Sequence, residues 1–333
     1  RKKTEPKEYE KAKRVYQESI EDIAIKVSSL YFAAISALSD YQQSLAKSQD
    51  LEELYRISQR RLELGTITKG DLLQLELSKL NAKVTVNEAK VKLNDSLYDL
   101  FSYMRVTDYE HANLLPPENV LDMVLNVNDV LLKARTNSSH AITQDLELIA
   151  AQQNLAKAKS AQGIQMHLNA EVGFNRTADG FAAAYSHLQD NEIIGVTVTV
   201  PIFDWGVKKG RVMVAKSNLE LAKTKREQAD NDYVQSVKRE VMQFSLQAAQ
   251  CRTSLQAQRI SQERYDITKK RFEAGNVSVT ALNTALQELE TAKSQYISQL
   301  RTYWNYYYTL RKFTLYDWVQ HQELTVDFDA LVL

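Results

Sequence analysis

The residues that could carry out chemistry are few and scattered along the chain. The sequence has five histidines: His111, His140, His167, His187 and His321. None of them belongs to an HExxH motif or to another pair at metal-ligand spacing. Cys251 is the sole cysteine, so it has no CxxC partner, and we expect a packed thiol on a helix face. The glycines form neither a phosphate-binding loop nor a GxSxG elbow. We therefore predict no catalytic residue, no metal and no cofactor.

The remaining polar and aromatic clusters have structural interpretations. Adjacent acids such as Glu52 and Glu53 are typical of a solvated helix face. His167 and Glu171 lie in a segment whose alternating pattern predicts a β-strand. Residues four apart in a strand lie on one face. We interpret both as polar residues that line a water-filled lumen. An aromatic cluster near the end of the chain fits either core packing or an interfacial aromatic belt. It consists of Tyr303, Trp304, Tyr306, Tyr307 and Tyr308.

The composition indicates a few very long elements. The 333 residues include 42 Lys and Arg against 42 Asp and Glu, which argues against a nucleic-acid binder. Only 9 glycines and 4 prolines are present, whereas average usage would give roughly 23 and 17. A chain so poor in turn formers cannot be a β-sandwich, a propeller or a doubly wound α/β fold, because each of those needs many turns.

Four stretches lack both glycine and proline, and each predicts a long helix. They are residues 7–64, 71–115, 211–274 and 276–333, and they are rich in Ala, Leu, Glu, Lys, Gln and Arg. No uninterrupted apolar run within them reaches the 18 or so residues of a spanning helix.

The helical part is duplicated within the chain. Residues 61–68 (RLELGTIT) match residues 271–278 (RFEAGNVS) at an offset of 210. Gly65 and Gly275 can each supply the left-handed residue that closes a helix. Each half is therefore predicted to be a helical hairpin with a short glycine turn at its tip.

One segment between the hairpins has the alternation of β-strands. From Ile164 to Phe174 and from Ile194 to Ile202, apolar side chains occupy every second position. This pattern fits a soluble hairpin packed on a core, or a transmembrane barrel hairpin with one face on lipid and the other on water. Long flanking helices offer little surface to cover the apolar face, which favours the membrane interpretation. A single hairpin is marginal alone, so pairing with other copies is expected.

These motifs together resemble the TolC-type outer-membrane efflux family of Gram-negative bacteria. Four features carry the resemblance. Two are motifs: the duplicated tips, and the sequence VPIFDWG at residues 200–206, which looks like the family's strand-to-helix junction. The other two are the order of the elements and the long Lys/Ala/Glu-rich arm that follows the junction. It covers essentially the whole chain. It implies a mainly α fold with a small β part: long antiparallel helical hairpins forming a trimeric α-barrel, plus a hairpin contributing to a transmembrane β-barrel.

The resemblance also implies a domain organisation. In chain order, the expected parts are a first hairpin at 1–115 with its tip near 65–70, an equatorial segment at 116–138, a helix at 139–163, the β-hairpin at 164–203 with a loop at 177–190, a second hairpin at 204–315 with its tip near 275–279, and an equatorial tail at 316–333.

The implied function is that of a passive exit duct in a tripartite efflux or type I secretion system, located in the outer membrane with its helices in the periplasm. Its implied partners are two further copies of the chain, outer-membrane lipid, a periplasmic adaptor and an inner-membrane pump. A structural coiled-coil scaffold of the cell envelope is the alternative, although it leaves the β-hairpin unexplained.

The resemblance further assigns candidate roles to individual residues. The adaptor-docking tips would be Leu64, Gly65, Thr66, Ile67, Ala274, Gly275, Asn276 and Val277, although a plain helix–helix turn explains them equally well. The candidate pore gate would be Asp71, Thr280 and Asn283. The lumen face of the strands would carry His167, Asn169, Glu171, Asn175, Thr197 and Thr199. The lipid face would carry Met166, Leu168, Val172, Phe174, Val196, Val198 and Val200.

Two departures from the family pattern are visible. The chain starts at Arg1, already within the first long arm, so we expect that the family's first β-hairpin and its preceding helix are missing. Thr280 and Asn283 stand where some members carry acids after the second tip glycine. We therefore expect a less acidic gate, with only Asp71 keeping its acid.

Overall fold

A computed structural model describes residues 4–108, 114, 115, 117, 120, 123–175, 189–200, 203–328 and 330. The described chain is mainly helical, with two small antiparallel strand pairs. Its elements are α1 (Glu5–Glu63), α2 (Lys69–Tyr103), α3 (Val127–Asn137), α4 (His140–Ser160), β1 (Gln165–Asn175), β2 (Gln189–Thr199), α5 (Val207–Glu273), α6 (Val279–Thr314), β3 (Tyr316–Asp317) and β4 (Gln322–Glu323).

The chain divides into two compact units. The first contains residues 1–11 and 140–232, and the second contains residues 12–139 and 233–333. The four long helices predicted from the breaker-free stretches are confirmed, since α1 has 59 residues, α2 35, α5 67 and α6 36. Helices α1 and α5 end, and α2 and α6 begin, beside the tip glycines.

Within the second unit, consecutive long helices pair antiparallel. Ion pairs join α2 to α1 from Lys79 to Glu52 at 2.9 Å and from Lys92 to Asp40 at 2.8 Å. The partner number falls as the α2 number rises, so the two helices run in opposite directions. The side-chain amide of Gln247 on α5 donates to the backbone carbonyl of Gln299 on α6 at 3.0 Å.

The larger core of the second unit joins α1, α3, α5 and α6. Phe244 and Tyr303 are fully buried in it, with ring centroids 4.9 Å apart. Tyr307 is buried as well, so these two members of the aromatic cluster serve in core packing, one of the two alternatives left open by the sequence. Cys251 is also buried there, and burial raises the pKa of its thiol to about 11, as fits a packed thiol.

A second core lies towards the tips, also within the second unit. Leu51 and Leu54 of α1 meet Leu75 of α2, Tyr265 of α5 and Leu282 of α6 there. These side chains recur at heptad-like spacing on each helix, which is the pattern of knobs-into-holes packing.

One predicted boundary differs from the structure, and the segment predicted to be equatorial contains a helix. Part of the segment expected to be equatorial, 116–138, is helical, because Asn126 caps the first turn of α3 through the backbone amide of Asn128. β2 begins at Gln189, so the last two residues of the predicted loop belong to a strand. The ladder continues to the pair Asn175 and Gln189. Pro116 and residues 177–188 of the predicted loop lie outside the described residues.

Among the described residues, one helix passes a length-and-composition test for a membrane span although it contains no uninterrupted apolar run of 18 residues. One 18-residue window of α1 has a mean hydropathy of 1.3, and 22% of that window is buried. An average over a window tolerates isolated charges that interrupt an apolar run. Helix α1 also carries Phe32, Ala34 and Ile35, which are buried within the second unit, and core helices commonly pass this test.

The first unit contains the strand hairpin and the helices that flank it. Its helical part is tied together by charge: Asp145 of α4 accepts from Lys7 of α1 at 2.6 Å and from Arg226 of α5 at 2.8 Å. His140 lies 3.1 Å from Asp230. These charged groups lower the pKa of Asp145, with the Lys7 hydrogen bond as the largest cause.

Candidate functional site

Both tips close with the same backbone motif. Gly65 has φ +69° and Gly275 has φ +82°, so both occupy the left-handed region that the sequence predicted for them. The amide of Thr66 donates to the Arg61 carbonyl at 2.9 Å, and the amide of Asn276 donates to the Arg271 carbonyl at 2.8 Å. These are the bonds of a Schellman motif, which satisfies carbonyls that would otherwise lack partners at a helix end.

The helices that leave the tips begin differently in the two repeats. At the first tip, Thr68 and Asp71 form a reciprocal capping box, in which the Asp71 amide donates to the Thr68 hydroxyl at 3.1 Å. Hydrogen bonds from Thr68 lower the pKa of Asp71. At the second tip, the Ser278 hydroxyl accepts from the Ala281 amide at 3.2 Å. Ala281 stands where Asp71 stands in the first repeat, so the capping box is not completed. Asp71 therefore has a local structural role, whereas its gating role stays a prediction.

One side chain crosses from the first tip to the second. The guanidinium of Arg61 donates from Nη1 to the Phe272 carbonyl at 3.1 Å, and its centre lies 5.5 Å from the Phe272 ring centroid. A cation at the carboxyl end of α5 is favourable because it complements the helix dipole. A Cβ added to Gly275 would lie 3.2 Å from Arg61 Nη2, whereas a Cβ added to Gly65 would meet nothing within 4 Å. The duplicated tips therefore differ in their surroundings.

Most predicted tip residues face solvent in the described chain. Leu64 is 76% exposed, an unusual position for a large apolar side chain, and Thr66, Ala274 and Asn276 are also exposed. Ile67 and Val277 are half-buried beneath them. The turn needs the glycine, but nothing in the turn geometry needs an exposed leucine.

The three candidate gate residues occupy distinct environments. Asp71 belongs to the cap described above, and Thr280 is exposed in the first turn of α6. Asn283 is half-buried and lines a groove of about 380 Å³ together with Lys47 and Glu290. Of the three, only Asp71 carries a charge.

A polar cluster on α1 and α5, on the arms that lead to the tips, was not predicted from the sequence. Asp50 of α1 accepts from the Tyr265 hydroxyl and from the Lys269 ammonium, both at 2.6 Å. Burial, followed by the hydrogen bond to the Asp50 carboxylate, raises the pKa of Tyr265. No local spacing could have signalled this cluster, because its members are more than 200 residues apart.

A second missed cluster lies where α6 ends. Arg311 bridges the Glu21 carboxylate at 3.0 Å and that of Asp317 at 3.3 Å, and Asp317 also accepts from the Tyr307 hydroxyl at 3.0 Å. Burial is the main reason that the pKa of Glu21 is raised, and Arg311 opposes it. These bonds attach the β3–β4 segment to α1 and α6.

The strand hairpin has the two faces predicted for it. The register pairs Met166 with Val198 and Leu168 with Val196 on one face, and His167 with Thr197 on the other. Two residues depart from the alternation: Glu192 opposes Val172 on the apolar face, and Ile193 opposes Glu171 on the polar face. The apolar side chains are exposed in the described chain, at Met166, Leu168, Val172, Ile194, Val196, Val198 and Val200.

The remaining predicted strand residues follow the same register. Asn169 lies opposite Gly195, and Thr199 lies opposite Gln165. The backbones of Phe174 and Asn175 belong to β1, and their side chains lie outside the described part of the structure.

At the junction that follows β2, Asp204 caps the start of α5. Its carboxylate accepts from the amides of Gly206 at 3.1 Å and Lys208 at 2.9 Å. Trp205 and Gly206 both have positive φ, of 54° and 80°, which turns the chain sharply from strand to helix. Pro201 and Ile202 of the VPIFDWG motif lie outside the described residues.

The described residues contain no group of three or more His, Cys, Asp or Glu side chains that could hold a metal ion. A groove of about 910 Å³ between α5 and α6 is lined mainly by Ala, Ser, Thr and Gln. The polar clusters around Asp50 and Arg311 link helices to one another.

Comparisons with known proteins agree with this geometry. The family profile described as outer membrane efflux protein matches residues 137–314, which is more than half of the chain. A comparison with curated protein sequences gives no match.

The described fold is similar to solved outer-membrane channels. The Campylobacter jejuni CmeC outer membrane channel is 16% identical, with a TM-score of 0.73 over 99% of this chain and 69% of that one. The Vibrio cholerae outer membrane protein VceC is 14% identical, with a TM-score of 0.68 over 93% of this chain and 72% of that one. The Neisseria gonorrhoeae MtrE outer membrane channel is 16% identical, with a TM-score of 0.63 over 92% and 71%. The chain thus belongs to the outer membrane efflux protein family and serves as an exit duct in the bacterial outer membrane.

Proposed function

We propose that three copies of this chain assemble into a passive duct that docks a periplasmic adaptor, and through it an inner-membrane pump, at the helical tips. The observation that carries this proposal is the strand hairpin with one exposed apolar face and one polar face. A two-stranded hairpin alone is marginally stable, and its open edges must be closed in a bilayer. Further copies of the chain would supply the closing strands.

The long helices support a homotrimer as well. Helix α2 buries one stripe around Leu75, Ala82 and Ala89 and exposes a second stripe on its other side. The exposed stripe has the alternating three- and four-residue spacing of a coiled coil, at Leu73, Leu77, Leu80, Val84, Val91 and Tyr98. Helix α5 exposes Met242, Leu246, Ile260 and Ile267 at the same spacing. Helices that are apolar on two opposite sides need neighbours on both sides, and other protomers would provide them.

In this arrangement the two strand faces have separate roles. The face with Met166, Leu168 and Val196 would contact lipid, and the face with His167, Asn169 and Thr197 would line the lumen. Glu192 on the apolar face would lie where the strand leaves the hydrocarbon, because a charge at mid-depth is costly. Asp71, Thr280 and Asn283 would border the pore at the tip, with little negative charge to select cations.

The assembly is tested by electron imaging of the protein extracted from membranes in detergent. A hollow three-fold cylinder is the expected result. Solid rods, or particles of another symmetry, would remove the duct and favour the coiled-coil scaffold.

The adaptor contact is tested at Leu64, which the turn itself does not need. Leu64→Glu places a charge on the exposed tip and should reduce efflux and adaptor cross-linking by at least ten-fold, whereas trimer yield should not change. Leu132→Glu is the matched control, since Leu132 is 65% exposed on α3, away from both tips. Equal efflux by the two variants would refute docking at this tip.

A further inference from the structure

A group of cations lies at one end of the strand hairpin. Gln165, at the start of β1, pairs with Thr199, at the end of β2, so the end of α4 and the start of α5 reach the same edge of the hairpin. Both helix ends belong to the first unit. Five cations occupy these two ends, and we refer to them as the basic collar: Lys157, Lys159, Lys208, Lys209 and Arg211.

In the part of the chain that the structure describes, carboxylates are scarce around the basic collar. Residues 148–163 contain no carboxylate, and residues 203–219 contain only Asp204, whose oxygens accept from backbone amides of the helix start. Within the described ranges, no carboxylate is within salt-bridge distance of any of the five cations. This contrasts with Lys7 and Arg226 in the same unit, which both pair with Asp145.

Helix stability does not explain the collar. Lys157 and Lys159 lie in the last turn of α4, where cations are favourable. Lys208 and Lys209 lie in the first turn of α5, where they oppose the helix dipole, and that turn contains no acid. These cations therefore lie where the helix dipole disfavours them, and no described carboxylate offsets their charge.

Two exposed aromatic rings accompany the collar. Phe203 is 73% exposed and Trp205 is 86% exposed, and their rings stack edge to face with centroids 4.6 Å apart. Trp205 holds this position at φ 54°, a backbone region that non-glycine residues rarely adopt. The pair continues directly from the exposed apolar face of β2 at Val198 and Val200.

We propose that the basic collar and the Phe203–Trp205 pair form a docking surface for the anionic phospholipid headgroups of the membrane leaflet facing the helices. This inference rests on the proposed function, because it requires the hairpin to lie in a bilayer. Amphipathic rings favour the headgroup level, and Lys and Arg are attracted to an anionic surface just outside it. The surface would fix the depth of the hairpin in the bilayer. It would also raise the affinity for anionic membranes.

The test measures how the full chain, in dilute detergent, partitions into vesicles of phosphatidylcholine with or without phosphatidylglycerol. The collar variant is Lys208→Gln/Lys209→Gln/Arg211→Gln. The control variant removes the same charge from exposed sites further along α5, as Lys225→Gln/Lys238→Gln/Arg259→Gln. Three cations near an anionic surface account for an affinity factor of about 100 at low salt.

The expected result is that the collar variant needs about 100-fold more phosphatidylglycerol-containing lipid for half-saturation, while the control variant matches the wild type. High salt should abolish the difference. Equal shifts in the two variants would overturn the collar, because diffuse charge would then explain the binding. If the wild type does not bind phosphatidylcholine vesicles, the proposed insertion of the hairpin in a bilayer is wrong. A salt-sensitive difference between the collar variant and the wild type on phosphatidylglycerol-containing vesicles would still be measurable in that case.

Tryptophan emission tests the aromatic part separately. Lipid brominated near the headgroup should quench the wild-type emission, and Trp205→Phe should remove that quenching, since Trp304 and Trp318 are both half-buried in the second unit. Unchanged quenching in Trp205→Phe would show that Trp205 does not lie at the headgroup level.

Discussion

The two tip glycines allow the same substitution to be compared at two equivalent positions. Gly65 and Gly275 have the same left-handed conformation and the same Schellman bonds, but only Gly275 has Arg61 beside it. Replacing either by alanine forces a Cβ into the left-handed region, which costs about 1–2 kcal/mol. At Gly65 that strain is the whole effect, because the new Cβ would meet nothing within 4 Å.

At Gly275 a second cost is expected. The new Cβ would lie 3.2 Å from Arg61 Nη2, so the guanidinium must shift while Nη1 is bonded to the Phe272 carbonyl at 3.1 Å. Weakening this half-buried, charge-assisted bond adds about 0.5–1 kcal/mol. Gly275→Ala should therefore destabilise its tip more than Gly65→Ala does, and the excess should vanish when Arg61 is also replaced by alanine.

The assay is amide hydrogen exchange at the tips, because local opening of a long helical hairpin is separate from global unfolding. The amides of Thr66 and Asn276 each donate the Schellman bond that reaches back five residues, to Arg61 and Arg271 respectively. We expect exchange about 5- to 30-fold faster at Thr66 in Gly65→Ala, and a further two- to five-fold at Asn276 in Gly275→Ala. The same excess with and without Arg61 would refute the reasoning that Arg61 couples the two tips.

Two further predictions concern helix starts and pH. Thr68→Ala removes the hydroxyl that accepts from the Asp71 amide and should destabilise the start of α2 by about 1 kcal/mol. Ser278→Ala should cost less, because Ser278 has no reciprocal acid. Hydrogen exchange of the first-turn amides measures both effects. Burial raises the pKa of Glu240 to about 6 from its ordinary 4.5, so its contribution to stability is fully present below pH 4.5 and is lost as the pH rises through 6. Glu240→Gln should therefore raise the free energy of unfolding at pH 7 by about 1 kcal/mol and leave it unchanged at pH 4. Denaturant unfolding at the two pH values measures this. An equal gain at both would exclude burial of the charge as the cause.

Local sequence signals were sufficient for the helices, the tips and the strand hairpin. Glycine and proline are absent over four long stretches, and helix propagation continues wherever nothing interrupts it. The left-handed conformations at Gly65 and Gly275 follow from residue type, since glycine alone adopts them without strain. The two faces of β1 and β2 follow from their alternation, because a slip by one residue would exchange them.

The sequence was less informative about the ends of elements and about cap chemistry. Helix α3 lies in a segment expected to be equatorial, and its start depends on a single cap at Asn126. Asp71 was expected at a gate, and the structure adds that it completes a capping box with Thr68. A carboxylate three residues after a threonine fits either role by its spacing. Only the structure shows which hydrogen bonds it makes.

The sequence alone therefore determined the fold class, the duplicated hairpins and the family, since each of these rests on repetition, residue type or periodicity within a short window. Tertiary structure alone decided that Asp50 accepts from Tyr265, that Arg311 bridges Glu21 and Asp317, and that Arg61 reaches the Phe272 carbonyl. Each of these contacts joins different elements of the fold. Most of the partners are more than 200 residues apart, and no local pattern encodes which helices pack together or in what register.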